Sequence, residues 1–151
     1  MSLRFSYKLF RTQHGVLSLR GRWVRPRPVF RVSLVGPVRT WVAEALLDTG
    51  SDDTVFPEWI AAKIGLDLSR APTGEASGVG LAPAVLRYAE LNLRLTDGRE
   101  FREWPAWVGF TTAKLKQPLL GFAGCLQFFA AFFQGDREEV ELTVNGSYPG
   151  N

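Results

Sequence analysis

At 151 residues, with 46% hydrophobic and 13% aromatic side chains, the chain can bury one core of its own, which excludes a wholly disordered protein and points to a single domain. One cysteine, Cys125, forbids an intrachain disulfide, and a single histidine leaves a Cys/His zinc site without enough ligands, so neither a metal nor a cofactor is expected. The net charge of +3 hides an asymmetry: residues 1–43 hold nine Lys/Arg and no acid, whereas residues 44–151 hold nine Lys/Arg and all fifteen Asp/Glu.

An acid-free, arginine-rich start resembles a transit peptide and would also suit nucleic acid or an anionic surface. Aromatic and aliphatic residues are interleaved throughout it, however, which favours arginines decorating β-strands, so nucleic acid is not the expected partner. Met1 to Phe10 lacks the apolar core of a secretory signal. The apolar run Leu119 to Phe133 falls short of the ~20 residues of a membrane helix and is interrupted by Gly121, Gly124 and Gln127. It reads as core or interface, and a cytoplasmic protein without a membrane partner is expected. Asn145-Gly146-Ser147 fits a glycosylation acceptor and, without a secretory route, is taken as chance. Cys125 sits in Cys-Leu-Gln-Phe-Phe, the setting of an inert buried thiol.

In chain order, Phe5, Tyr7 and Leu9 alternate with polar residues and predict a first strand, with Val16 to Leu19 following a turn at His14-Gly15. Arg25-Pro26-Arg27-Pro28 reads as a stiff connector. Phe30, Val32 and Leu34 then alternate up to a Gly36-Pro37 turn, and Trp41 to Leu47 returns with Trp41, Ala43, Ala45 and Leu47 on one face. Pro57 to Ile64 is the predicted helix, with Pro57 at its first position, Glu58 at the positive end of the dipole and Gly65 as its stop. Residues 71–83 are rich in turn formers. Ala89 to Leu95 alternates, turns at Asp97-Gly98 and returns through Phe101 to Phe110. Leu119-Leu120-Gly121 opens a helix-like segment, and Val140, Leu142 and Val144 form a last strand after Gly135-Asp136. The sum is a mainly β fold with one or two short helices.

The alternating strand from Trp41 delivers Asp48 into a Thr-Gly turn, which is how a reactive carboxylate is held at a strand end. Gly50 suits a tight turn or a close backbone approach. The triplet Asp-Thr-Gly is weak alone; the apolar strand before it and Ser-Asp-Asp-Thr-Val behind it make it specific.

With its elements in this order, the segment of about 29 to 144 resembles the single-domain retropepsin-like aspartic peptidases of retroviruses and bacteria. Leu47-Asp48-Thr49-Gly50-Ser51 matches the active-site loop, Gly78 to Gly80 the place of the flap, and Leu119-Leu120-Gly121 the second hydrophobic-hydrophobic-Gly element. The resemblance implies a closed or partly open β-barrel, with residues 1–28 as a basic extension packed on it and 145–151 as a flexible tail. It implies that Asp48 is catalytic, that Thr49 bonds across a dimer axis, that Gly50 offers its backbone to substrate and that Ser51 supports the outer oxygen of Asp48. Asp52 and Asp53, with Gly78, Val79 and Gly80 of the flap, would contact an extended peptide or unfolded protein.

Peptide hydrolysis by this route needs one carboxylate as general base and a second, protonated, as acid. The chain has one Asp-Thr-Gly and no second Asp-Thr-Gly or Asp-Ser-Gly after it, so a homodimer with two Asp48 on its axis is implied. One departure stands out. Where many relatives place Arg and then Asp or Asn after the second element, this chain has Phe122-Ala123, so Asp52 must pair elsewhere, with an N-terminal arginine, or stay solvated. Three other readings remain: a silent module that holds a peptide in the same groove, a nucleic-acid-associated protein acting through residues 1–43, and an Asp48 that merely caps its turn.

Overall fold

The computed structural model of the chain describes residues 1–76 and 83–151. The first strand predicted from Phe5, Tyr7 and Leu9 is two strands, β1 (Leu3–Ser6) and β2 (Lys8–Val16), which part at Tyr7. Leu3 and Phe5 are buried, and the Phe5 ring stacks on Phe30 with centroids 4.2 Å apart, so β1 belongs to the core. β2 leaves the core and pairs with β3 (Arg22–Arg27) as a separate two-stranded ribbon. The turn expected at His14-Gly15 is absent: β2 runs on to Val16, and the chain reverses through a 3-10 turn, Leu17–Leu19, closed by Gly21 N–H donating to the Val16 carbonyl at 2.9 Å. Arg25-Pro26-Arg27 is likewise no connector but the end of β3. A two-stranded ribbon has only edges, where a proline need not cost a ladder bond.

The barrel follows. β4 (Val29–Val35) and β5 (Thr40–Leu47) form the expected hairpin, with Phe30 opposite Ala45 and Val32 opposite Ala43. Next come β6 (Val55–Pro57), helix α1 (Glu58–Ile64), β7 (Thr73–Ala76), β8 (Ala84–Thr96) and β9 (Phe101–Thr111). β10 (Leu119–Leu120), β11 (Phe129–Gln134) and β12 (Glu139–Val144) complete the chain. The large sheet runs β4-β5-β10-β6-β9-β8-β7, and β4 also pairs with β8, which closes a ring of hydrogen bonds with β7 outside it. Closure removes the exposed edges that an open sheet would present. The smaller sheet, β1-β12-β11, shares the barrel's apolar core through Leu3, Phe129, Val140 and Leu142.

Helix α1 buries Ile60, Ala61 and Ile64 and ends at Gly65, as the pattern predicts. Pro57 is not its first residue. It is the flanking cap in extended conformation (φ −61°, ψ 140°), because it is also the last residue of β6. Leu119-Leu120, expected to open a helix, instead forms β10, parallel to β5 and antiparallel to β6; a two-residue strand is too short to leave an alternating signature. Residues 145–151, expected as a flexible tail, are tied down by Tyr148, whose ring packs near Trp104 and Phe129 and whose hydroxyl donates to the Glu103 carbonyl at 3.0 Å.

Trp104 shows how tightly this core is specified. It is fully buried, and its indole N–H donates to the Gly124 carbonyl at 2.8 Å, the start of the turn that follows the second hydrophobic-hydrophobic-Gly element. Trp104→Phe keeps an aromatic ring but leaves that carbonyl without its donor. A loss of about 1–3 kcal/mol in denaturant unfolding is expected.

Candidate active site

Asp48 is the first residue beyond β5, whose inward residues Ala43, Ala45 and Leu47 anchor it to the barrel wall. Its backbone N–H donates to the Leu120 carbonyl at 3.0 Å, and its carbonyl accepts from Ser51 N–H at 3.2 Å. The side chain turns back on the loop: Oδ1 accepts the Gly50 N–H at 2.9 Å. A Cβ on Gly50 would meet only this oxygen, at 3.2 Å, so the glycine serves close approach and not an unusual backbone angle.

Beneath the loop, a second layer fixes its backbone. Phe122 N–H donates to the Ser51 carbonyl and Ala123 N–H to the Asp52 carbonyl, both at 2.9 Å, while Thr54 N–H donates to the Ala123 carbonyl at 3.1 Å. The Thr54 side chain is buried, and its Oγ1 accepts the Gly121 N–H at 3.2 Å. The two segments that the sequence pairs by motif are thus held together by backbone hydrogen bonds, with Asp53 and Ala123 bridged in parallel. This clamp is why the carboxylate is held at one place.

Not every expected role survives. The Ser51 hydroxyl donates to the Asp53 carbonyl at 2.7 Å rather than to Asp48, so it braces the loop two residues further on. Thr49 is exposed at the loop tip. Asp52 is exposed and in no ion pair among the described residues; the N-terminal cations Arg4, Lys8 and Arg22 pair with Glu141, Glu44 and Glu138 instead. The Asp52 side chain is thus solvated, one of the two expected outcomes, and Ala123 meets Asp52 only through the backbone. Gly78, Val79 and Gly80 lie outside the described residues. The arms beside them, β7 and β8, pair from Thr73 with Arg87 to Ala76 with Ala84.

A cavity of about 350 Å³ opens on the loop, lined by Asp48, Gly50, Ser51, Asp52 and Asp53 and, from β7 and β8, by Glu75, Ala76, Ala84 and Leu86. Val55, Thr111, Leu115 and Leu119 complete its wall. The sequence reading missed Glu75 and Leu86, and it missed Tyr88, whose hydroxyl donates to Asp53 Oδ2 at 3.1 Å. Desolvation, and then the neighbouring Asp53 charge, raise the Tyr88 phenol above its ordinary value, so it stays a donor. A tyrosine among the alternating residues of β8 was the only available signal. Another cavity, of about 400 Å³, is lined by Arg22, Arg25 and Arg27 beside the ribbon and holds no part of the motif. Chemistry rather than size selects the site. Burial pushes the Cys125 thiol up to about 12, which makes it inert. Among the described residues no group of His, Cys, Asp and Glu could hold a metal, and no helix is long and apolar enough to cross a membrane.

A model of the aspartyl protease family matches residues 37–123, over half of the chain. The match begins in the β4–β5 turn, contains the whole Asp48 loop and ends at Ala123, the residue that bridges to Asp53. The chain therefore belongs to the aspartyl protease family, in its retropepsin-like form. Against curated proteins it finds no match.

Proposed function

We propose that the protein is an aspartic endopeptidase in which two copies of the chain bring their Asp48 carboxyls together about a water molecule. The observation that carries this reading is the Asp48 loop itself: one carboxylate at a strand end, clamped from beneath and open to a cavity. One Asp48 carboxylate takes a proton from the water, which attacks the peptide carbonyl, and the other, protonated, donates toward the carbonyl oxygen and then the leaving nitrogen. A single chain supplies only half of this pair, so the second copy completes the site. Thr49, which is exposed, meets its counterpart across the dimer axis in this reading. Substrate lies extended between the loop and the β7–β8 arms, which pair with its backbone as a strand would. Gly78, Val79 and Gly80, which the resemblance assigns to the flap, contact the substrate. The test is cleavage of an unstructured protein by the purified chain. Binding of such a protein without cleavage would favour the silent module instead.

Assembly and pH are then coupled. Two carboxyls within hydrogen-bond reach cannot both ionise readily and share a proton. The dimer therefore holds a proton that separate subunits release, so it is tightest in acid and weakens as pH rises through the loss of that proton. Sedimentation across an acid-to-neutral series should show wild type losing more dimer affinity than Asp48→Asn, which has no such repulsion; identical profiles would place the two aspartates apart.

A further inference from the structure

The cavity at Asp48 has a one-sided charge. Every ionisable side chain lining it is acidic: Asp48, Asp52, Asp53 and Glu75. The undescribed residues 77–82, Ser-Gly-Val-Gly-Leu-Ala, carry no ionisable side chain that could offset them. Arg87 on β8 pairs with Glu58 at 3.6 Å, and Lys114 lines an adjoining cavity, with Pro57, Glu58 and Trp59, that shares Thr111 and Leu115 with this one. The carboxylates are not evenly placed. Asp53 is partly buried and accepts a hydrogen bond from the Tyr88 hydroxyl, while Glu75 is exposed and comes from β7. The same cavity is also lined by the apolar side chains of Leu86, Leu115 and Leu119. A cavity lined by both leucines and carboxylates fits a side chain with a methylene stem and a cationic head.

We propose that the cleft selects arginine or lysine side chains in its peptide substrates, the cationic head held between Asp53 and Glu75 and the stem laid along Leu86, Leu115 and Leu119. This rests on the peptidase reading of the cleft and adds the substrate class to it. Asp53 and Glu75 act as specificity determinants, and Tyr88 is a positioning residue that aims Asp53. Arginine suits the pair better than lysine, since its planar fork can engage two carboxylate oxygens at once. The selection is electrostatic, so it weakens with added salt and acts mainly on KM.

The experiment compares peptides that differ at one scanned position, Arg or Lys against Gln, Met or Glu, in kcat/KM with wild type, Asp53→Asn, Glu75→Gln and Tyr88→Phe. At the responsive position wild type should favour the basic peptide over the glutamate peptide by on the order of tenfold or more, mainly through KM. The ratio should fall several-fold in Asp53→Asn and Glu75→Gln, and less in Tyr88→Phe. Glu75 lies exposed on a short strand, so Glu75→Gln remains informative if Asp53→Asn disturbs the loop. Cleavage with no preference at any position, or a preference unchanged in both carboxylate variants, would overturn the proposal while leaving the peptidase reading intact. The same peptides are also titrated by fluorescence anisotropy against wild type and Asp48→Asn. Tighter binding of the basic peptides there, without any cleavage by wild type, would support the selectivity and overturn only the peptidase reading.

Discussion

Asp48→Asn is expected to abolish peptide cleavage and to leave the fold as it is. The only hydrogen bond of the Asp48 side chain in the described structure is the one Oδ1 accepts from Gly50 N–H, and an amide oxygen can accept the same bond. Asparagine is nearly isosteric with aspartate, so unfolding should shift by no more than about 0.5 kcal/mol, the range of a substitution that breaks no packing. Chemistry has no such substitute. In a homodimer the change removes both carboxyls at once, leaving nothing to take the proton from water or to return one to the leaving nitrogen. The loss in kcat/KM should be on the order of 10⁴-fold or more, beyond what one acid–base group contributes. The measurement is cleavage of an unstructured protein by rigorously purified variant, beside its thermal unfolding. A well-folded variant with undiminished cleavage would remove Asp48 from the mechanism.

How far the sequence could carry this conclusion depended on the length scale of each signal. The β4–β5 hairpin, the β8–β9 hairpin and the last strand were legible because each is long enough for apolar residues to alternate, and the structure puts those residues inward. Asp48 was legible because its strand points at it. β10 was not, since two residues cannot show a period and its position is set by β5 and β6 on either side. The ribbon was misread for a related reason: it buries little beyond Val16, so burial imposed no pattern on it, and the prolines that suggest a connector are tolerated at its edges. Within the site, the contacts that missed prediction are those between distant segments. Nothing local links Tyr88 to Asp53 or Gly121 to Thr54. They exist because the barrel brings β8 and the turn after β10 against the same loop.

That last convergence supports the second large prediction, that Gly121→Ala will cost stability and activity together. A Cβ built on Gly121 would sit 2.2 Å from the Asp53 carbonyl oxygen and 2.6 Å from that of Ser51. Both are backbone atoms, so no side-chain rotation can relieve the overlap. Nor can the strands simply part, because Phe122 N–H, Ala123 N–H and Gly121 N–H all bond to the Asp48 loop or to Thr54 just beyond it. One methyl group must therefore break part of the clamp, and overpacking against fixed backbone belongs at the upper end of its usual range, about 3 kcal/mol or more. The carboxylate moves with its loop, so residual cleavage should fall by on the order of 10²-fold even in the fraction that stays folded. Gly135→Ala is the matched comparison: a Cβ there meets nothing within 4 Å, and its unfolding should stay within about 0.5 kcal/mol of wild type. If Gly121→Ala unfolds like Gly135→Ala and cleaves like wild type, the clamp does not hold the carboxylate, and the positioning of Asp48 must come from β5 alone.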